Sequence, residues 1–102
     1  MNNLNLKDYA EVVKNNELVV LDFHATWCGP CKVVGPIFDE VSKENEGQYF
    51  AKVNVDDEPE LSQKFGVRNI PTILFIKGGE VQGKLIGMTT KEKIEEQLNN
   101  LI

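Results

Sequence analysis

Two cysteines, Cys28 and Cys31, are the residues of this chain best suited to chemistry, and the sequence contains no others. They enclose Gly29 and Pro30 and follow an apolar run that is typical of a buried strand. A helix is predicted to begin at the pair, which would place Cys28 among backbone N–H groups that have no helical partner. Such donors stabilise a thiolate, the nucleophile of thiol–disulfide exchange.

Direct hydrogen bonds are expected to stabilise a Cys28 thiolate more than the helix dipole does. The dipole contributes about 0.3–1 kcal/mol, which is less than about one pKa unit. A hydrogen bond to a charged acceptor contributes about 1.5–3 kcal/mol. One helical turn brings the third residue along beside the first, so Cys31 would be within reach of Cys28 and could resolve a mixed disulfide.

A zinc site and a structural crosslink are the other roles that cysteines at this spacing can have. Tetrahedral zinc takes four protein ligands, or three and a water, and this chain offers two thiols and the single imidazole of His24. A crosslink that closes so short a loop would restrict the unfolded chain little. We therefore interpret the pair as a redox-active disulfide and expect no metal and no bound cofactor.

The composition is that of one small globular domain, which we expect to cover residues 1–102. The net charge of −5 disfavours binding to nucleic acid and to anionic membranes. No apolar run is long enough to span a bilayer, and the first seven residues do not resemble a signal peptide. These observations predict a cytoplasmic protein.

The elements that must position the cysteines alternate along the chain. Apolar runs rich in β-branched residues predict strands at 18–25, 49–55, 72–77 and 81–86, with a weaker signal near 2–5. Helices are predicted after Asn5, from the cysteines to about residue 46, at a capped start in residues 57–60 (Asp-Glu-Pro-Glu), and at the Thr-Thr-Lys-Glu capping box of residues 89–92. The first helix is expected to bury Leu6, Tyr9 and Val13. The order predicts an α/β fold with a mixed central sheet of four to five strands flanked by four helices.

The chain resembles the thioredoxin family along nearly its whole length. The matching segments are residues 20–23 (Val-Leu-Asp-Phe), 27–32 (Trp-Cys-Gly-Pro-Cys-Lys), 52–56 (Lys-Val-Asn-Val-Asp) and 65–72 (Phe-Gly-Val-Arg-Asn-Ile-Pro-Thr), together with Pro36, Gly79 and Gly87. The resemblance implies the thioredoxin fold and the activity of a general protein-disulfide reductase. It also implies that a thioredoxin reductase recycles the protein, that disulfide-containing proteins are its substrates, and that it is a monomer.

The resemblance implies a catalytic role for four residues. Cys28 resembles the attacking thiol, Cys31 the buried resolving thiol, and Asp22 the buried carboxylate of the family. A carboxylate in an apolar strand is costly to ionise, so its pKa should be raised and it could accept the proton of Cys31. Lys52 resembles the neighbouring cation, which would lower that pKa. The alternative for Asp22 is a paired core carboxylate with a role in packing alone.

A docking surface for substrates is also implied. Pro71 resembles the proline that faces the cysteines through a cis bond in this family, where it would let the Ile70 backbone pair with an extended substrate segment. The apolar rim that docks partners would comprise Trp27, Gly29, Pro30, Val67, Ile70 and Gly87. Taken singly, each of these could instead be a core or turn residue.

His24 departs from the family pattern, which more often has an aromatic or other neutral residue at this position. Strand alternation puts His24 on the same face as Asp22. One hypothesis is that it tunes the thiols as it titrates near neutral pH. The alternative, which we favour, is an ordinary substitution with the ring at the surface or against Trp27.

Two other functions stay open on the sequence alone. The chain could be a specialised electron donor, or an oxidant, for one dedicated partner, and its redox potential would separate these cases. It could also be a binding module that uses the apolar rim as an accessory subunit, with redox chemistry incidental.

Overall fold

The computed structural model describes residues 2–102, in which the strands and helices follow one another in the predicted order. The strands are β1 (Asn2–Asn3), β2 (Leu18–His24), β3 (Tyr49–Asn54), β4 (Thr72–Lys77) and β5 (Glu80–Ile86). The helices are α1 (Leu6–Asn15), α2 (Gly29–Glu44), α3 (Pro59–Lys64) and α4 (Lys91–Leu101). The predicted mixed sheet with four helices is confirmed, and the weak signal near residues 2–5 corresponds to the short strand β1.

The sheet has the order β1-β3-β2-β4-β5. Strands β1, β3 and β2 run parallel, whereas β4 is antiparallel to β2 and β5 is antiparallel to β4. The central strand β2 is buried over its first six residues. Because β2 and β3 are parallel, their carboxyl ends lie at the same edge of the sheet. Cys28 follows the end of β2 by four residues and therefore lies near this edge.

Two apolar clusters fill the space on either side of the sheet. One contains Leu21 and Phe23 of β2 together with Tyr9 of α1 and Leu61 of α3. The other contains Val20 of β2 with Val34 and Phe38 of α2 and Ile94 and Leu98 of α4. Since side chains alternate along a strand, Asp22 lies on the same face as Val20, beneath α2.

The start of α2 follows from its sequence. Cys28 is the N-cap residue, with extended backbone angles of φ −88° and ψ 114°. Pro30 lies in the first turn, where an absent N–H costs nothing because that group would have no helical partner. The helix ends at Glu44, two residues earlier than predicted, and the N–H of Asn45 donates to the Ser42 carbonyl.

Three local predictions about the helices are wrong. The capping side chain of α4 is that of Thr90, which accepts the N–H of Lys93 at 3.2 Å, whereas the Thr89 side chain is buried. Helix α3 has no side-chain cap; the carboxylate of its N-cap residue, Glu58, instead accepts the Leu6 N–H at 3.2 Å. Leu6 itself is exposed, because α1 turns Tyr9, Val12 and Val13 toward the core.

The β4–β5 hairpin turns at Gly78 and Gly79, whose φ angles are +61° and +80°. Both positions of this two-residue turn need positive φ, which glycine adopts without a steric penalty. None of the helices within residues 2–102 is both long and apolar enough to cross a membrane.

Candidate active site

Cys28 and Cys31 form a disulfide at the N-terminus of α2, with their Cα atoms 5.3 Å apart. Both residues are buried. Cys28 Sγ accepts a hydrogen bond from the Cys31 N–H at 3.2 Å, and the Cys28 N–H donates to the Ala25 carbonyl at 3.3 Å. The backbone donor expected at the Cys28 sulfur is therefore present, and it is available to a thiolate once the disulfide is reduced.

The loop before β4 lies against the cysteines. Cys28 Sγ is 3.8 Å from the Ile70 carbonyl oxygen, and the Ile70 side chain packs against Ala25, Cys28 and Cys31. The peptide bond between Ile70 and Pro71 is cis. Gly87, at the end of β5, donates its N–H to the Pro71 carbonyl at 2.7 Å and has a φ of +83°. The structure thus brings Ile70, Pro71 and Gly87 together beside the disulfide.

Trp27 is the most exposed of the large apolar side chains among residues 2–102, at 68%. Its indole Nε1 donates to Asp56 Oδ2 at 2.8 Å. Asp56 is oriented in turn by Asn54, whose Oδ1 accepts the Asp56 N–H at 2.9 Å. Sequence reasoning missed Asp56. Its position just after β3 was a usable signal, because parallel strands β2 and β3 end at the same edge.

The other residues of the expected rim are placed unequally. Gly29 and Pro30 are exposed. Val67 is half-buried and packs against the apolar cluster of Tyr9 and Phe23 rather than against the cysteines. Two apolar side chains that sequence reasoning did not select, Ile86 and Met88, flank Gly87 and are 58% and 56% exposed. The signal for them was their adjacency to Gly87 at the end of an edge strand.

Asp22 is 1% exposed and is the register partner of Lys52 on β3. Burial raises the pKa of Asp22 from its ordinary 3.8 to about 6, with the negative charge of Asp39 adding to the rise and the positive charge of Lys52 opposing it. Both directions predicted from the sequence, a rise from burial and a fall from Lys52, are confirmed. Asp22 Oδ1 has no hydrogen-bond partner within residues 2–102.

Lys52 forms its ion pair with Asp39 of α2, at an Nζ–Oδ1 distance of 3.0 Å. The Nζ atom lies over Gly35, where an added Cβ would be 3.3 Å away. No cation among residues 2–102 is within ion-pair distance of Asp22. The family resemblance places the Lys52 ammonium beside Asp22. In the structure, Lys52 acts on Asp22 through space, and its direct partner is Asp39 of α2.

His24 lines a cavity of about 270 Å³ at the end of β2, together with Lys52, Asn54 and Asp57. Burial lowers the pKa of His24, the positive charge of Lys52 lowers it further, and Asp57 opposes both effects. The imidazole is therefore neutral at neutral pH.

Metal chemistry has no support from this geometry. Within residues 2–102, no three side chains of the His, Cys, Asp and Glu types are grouped so that they could hold a metal ion. The Cys28–Cys31 disulfide is the redox centre of the described chain, which has no further cysteine.

Comparison with known proteins agrees with the site. The thioredoxin family model matches residues 1–100. A thioredoxin of Mycoplasmoides gallisepticum is 40% identical over 94 residues, covering 92% of this chain and 94% of that protein. Thioredoxin 2 of Chlorobaculum tepidum is 39% identical, covering 91% of this chain and 86% of that protein.

Solved structures agree as well. The thioredoxin of Fasciola hepatica superposes with a TM-score of 0.93 at 32% identity, covering all of both chains. A chain from a study of thiol resolution in a yeast mitochondrial 1-Cys peroxiredoxin via glutathione and thioredoxin systems gives a TM-score of 0.91 at 31% identity, covering 99% of this chain and 95% of that one. The chain therefore belongs to the thioredoxin family and is a thiol–disulfide oxidoreductase whose redox-active pair is Cys28 and Cys31.

Proposed function

We propose that this protein is a general protein-disulfide reductase that a thioredoxin reductase returns to its dithiol form. The observation that carries the proposal is the position of Cys28 Sγ. It accepts the Cys31 N–H at 3.2 Å and lies 3.8 Å from the Ile70 carbonyl. The attacking sulfur thus has a donor for its anion on one side and a backbone segment for substrate pairing on the other.

The first step is attack by the Cys28 thiolate on a substrate disulfide. A bond forms between Cys28 Sγ and one substrate sulfur, and the substrate disulfide breaks. The other substrate sulfur leaves as a thiolate and takes a proton from water. The Cys31 N–H offsets the charge on Cys28 before the attack, as a hydrogen bond to an ionised acceptor is worth about 1.5–3 kcal/mol.

The second step resolves the mixed disulfide. The Asp22 carboxylate accepts the proton of the Cys31 thiol, and the Cys31 thiolate attacks Cys28 Sγ. The Cys28–Cys31 disulfide forms, the mixed disulfide breaks, and the second substrate sulfur leaves as a thiolate that takes a proton from water, while Asp22 returns its proton to the solvent. The substrate thus gains two electrons and two protons, and the dithiol loses them. Burial supports this role for Asp22. With a pKa of about 6, most of the carboxyl is ionised at neutral pH, and the carboxylate is a stronger base than an ordinary aspartate.

Substrate docking would use the apolar surface around the disulfide. Trp27, Gly29 and Pro30 are exposed on the α2 side, and Ile70, Pro71 and Gly87 close the other side. An extended segment that pairs with the Ile70 backbone would bring its own disulfide to Cys28 Sγ. We assign Val67 only a supporting position in this surface, since it packs against the core.

Partners and compartment follow from the redox chemistry. The disulfide must be reduced after each cycle, so a thioredoxin reductase and a reducing compartment such as the cytoplasm suit the activity. Disulfide-containing proteins are the substrates, and a peroxiredoxin is a candidate among them because one structural relative comes from a study of such an enzyme. We propose that the chain acts as a single-domain monomer, which light scattering would test.

The decisive experiment is insulin reduction with two electron sources. One assay uses NADPH and a heterologous thioredoxin reductase, and the other uses dithiothreitol. Turnover in both supports a general reductase with an ordinary recycling system. Activity with dithiothreitol alone would contradict the recycling partner, and activity in neither would contradict the reductase. The variant with both Cys28 and Cys31 changed to serine is the control, because it keeps the docking surface without the redox pair.

A further inference from the structure

The ion pair between Lys52 and Asp39 has no part in the mechanism above, although it lies beside a group that has one. Asp22 and Lys52 are register partners on adjacent parallel strands, so their side chains share one face of the sheet. Asp22 is thus the carboxylate nearest to Lys52 along the sheet. The ammonium nevertheless pairs with Asp39, which belongs to α2, at 3.0 Å.

Two features of α2 hold Lys52 in this position. Asp39 follows Gly35 by four residues, so both lie on the same face of the helix. Gly35 leaves room for the ammonium, because a Cβ at this position would be only 3.3 Å from Nζ, which is closer than an ordinary van der Waals contact. The side chain of Asp39 is 39% exposed overall, but its Oδ1 atom is turned inward onto Lys52 and is itself buried.

We propose that Asp39 is a positioning residue that holds the Lys52 ammonium on α2 and away from the Asp22 carboxyl, and thereby sets how readily Asp22 accepts the proton of Cys31. The inference rests on the proposed role of Asp22 as proton acceptor. A full ion pair between Lys52 and Asp22 would make Asp22 a weaker base. Asp39 prevents this pair while leaving Lys52 close enough to act on Asp22 through space.

The groups that face Asp22 support this account. Lys52 comes from β3 and lowers the pKa of Asp22, whereas Asp39 comes from α2 and raises it. Cys31 is at the start of α2, and His24 is on β2 itself. The register partner on β4 is Ile73, and α4 contributes the apolar Ile94 and Leu98 to this face. Among residues 2–102, the charges that act on Asp22 are thus those of Lys52 and Asp39, which pair with each other.

The test is Asp39→Asn, which keeps the shape of the side chain and removes the charge. We expect the freed ammonium to approach Asp22 and to lower its pKa by about one unit. Carboxyl-carbon NMR of the oxidised protein measures this titration. The acid limb of the rate of mixed-disulfide resolution should move to lower pH by the same amount. Glu40→Gln is the matched control, since Glu40 is the next residue of α2 and pairs with Lys91 at 3.1 Å; it should move neither quantity.

A second pair of variants shows whether the effect passes through Lys52. In a Lys52→Met background, Asp39→Asn should change the pKa of Asp22 by less than half as much as in the wild-type background. An equal change in both backgrounds, or no change in either, would overturn the inference. A shifted Asp22 titration with an unshifted resolution profile would also overturn it, because Asp22 would then not accept the proton. That last result would leave insulin reduction by the Cys28–Cys31 pair standing, so it differs from a failure of the proposed function.

Discussion

Cys28 and Cys31 are three residues apart, but the groups that surround them differ in kind. Around Cys28 the polar contacts come from the backbone, namely the Cys31 N–H at 3.2 Å and the Ile70 carbonyl at 3.8 Å. Beneath α2, the helix whose first turn contains Cys31, the polar groups are instead side chains: Asp22 is buried there, and Lys52 pairs with Asp39. Backbone groups stay in place when side chains change, whereas a cluster of charged side chains can be retuned by one substitution. Attack by Cys28 should therefore tolerate substitutions of nearby side chains, whereas resolution by Cys31 should respond to them.

The largest effect is expected from a variant that keeps attack by Cys28 and abolishes resolution by Cys31. Cys31→Ser keeps the Cys31 N–H that stabilises the Cys28 thiolate, but it removes the resolving thiol. We expect attack on substrates to continue and turnover to stop, so that mixed disulfides accumulate. Mass spectrometry of the protein after mixing with oxidised insulin measures the adduct. Cys28→Ser is the control and should form none; absence of adducts from Cys31→Ser would contradict the two-step mechanism.

Removal of Asp22, the proposed base, should slow resolution of the mixed disulfide and leave the attack by Cys28 unchanged. Asp22→Asn cannot accept the proton of Cys31, and general base catalysis is worth about 100-fold or more. We expect single-turnover resolution at pH 7 to slow by about that factor, while the rate of mixed-disulfide formation stays the same. Stopped-flow measurement of each step separates the two. An unchanged resolution rate would show that Asp22 has a packing role only.

The same substitution should change stability with a definite dependence on pH. The pKa of Asp22 in the folded protein, about 6, exceeds its ordinary value of 3.8. Its contribution to stability is thus fully present below pH 3.8 and is lost as the pH rises through 6. The two values differ by about 2.2, which corresponds to about 3 kcal/mol because one pKa unit is worth about 1.36 kcal/mol.

Asp22→Asn removes a charge that is costly to bury. We expect the free energy of unfolding of the oxidised protein at pH 7 to rise by up to about 3 kcal/mol. Near pH 3.5 the variant and the wild type should differ little. Urea unfolding at the two pH values measures the change. Equal effects at both values would mean that the gain does not come from ionisation.

On the Cys28 side, a side-chain change should affect docking and little else. Asp56→Ala removes the acceptor that anchors the Trp27 indole at 2.8 Å. A hydrogen bond to a charged group is worth about 1.5–3 kcal/mol when fully formed and less at an exposed site. We expect the KM for insulin to rise about threefold to fivefold with little change in kcat. Glu60→Ala, an exposed carboxylate on α3, is the control and should leave both constants unchanged.

The smallest effect is expected at His24. Its pKa is lowered by burial and by Lys52, so the ring is neutral when the thiols titrate. His24→Phe should therefore leave the ultraviolet titration of the Cys28 thiolate unchanged above pH 7. It should also reduce the loss of stability below about pH 6.5, where protonation of the half-buried ring becomes costly. A displaced thiolate titration would instead favour the hypothesis that His24 tunes the thiols.

Most of the fold could be predicted from the sequence because the local signals agree with one another. The apolar run of β2, the cysteine N-cap of α2 and the Gly78–Gly79 turn each have a direct physical cause in their own residues. The errors lie at helix ends: Thr89 and Thr90 are both able to cap α4, and only the packing of Thr89 into the core decides between them.

The site was less predictable where it depends on contacts between distant segments. The raised pKa of Asp22 follows from its apolar strand, since burial alone suffices. The partner of Lys52 could not be predicted in this way, because Asp39 contacts the ammonium only when α2 packs against the sheet. The anchoring of Trp27 by Asp56 likewise requires the register of β2 and β3. Pairings of this kind depend on tertiary packing, to which a single sequence gives only indirect access.

The exposed indole beside the disulfide has a practical consequence. Trp27 is the only tryptophan of the chain, it precedes the attacking cysteine, and it is 68% exposed. The protein therefore carries its single tryptophan fluorophore at the disulfide, where the sulfurs change oxidation state and where we propose that partners dock. Emission from this one ring reports on docking and on redox state at once, without any label to disturb the surface being studied.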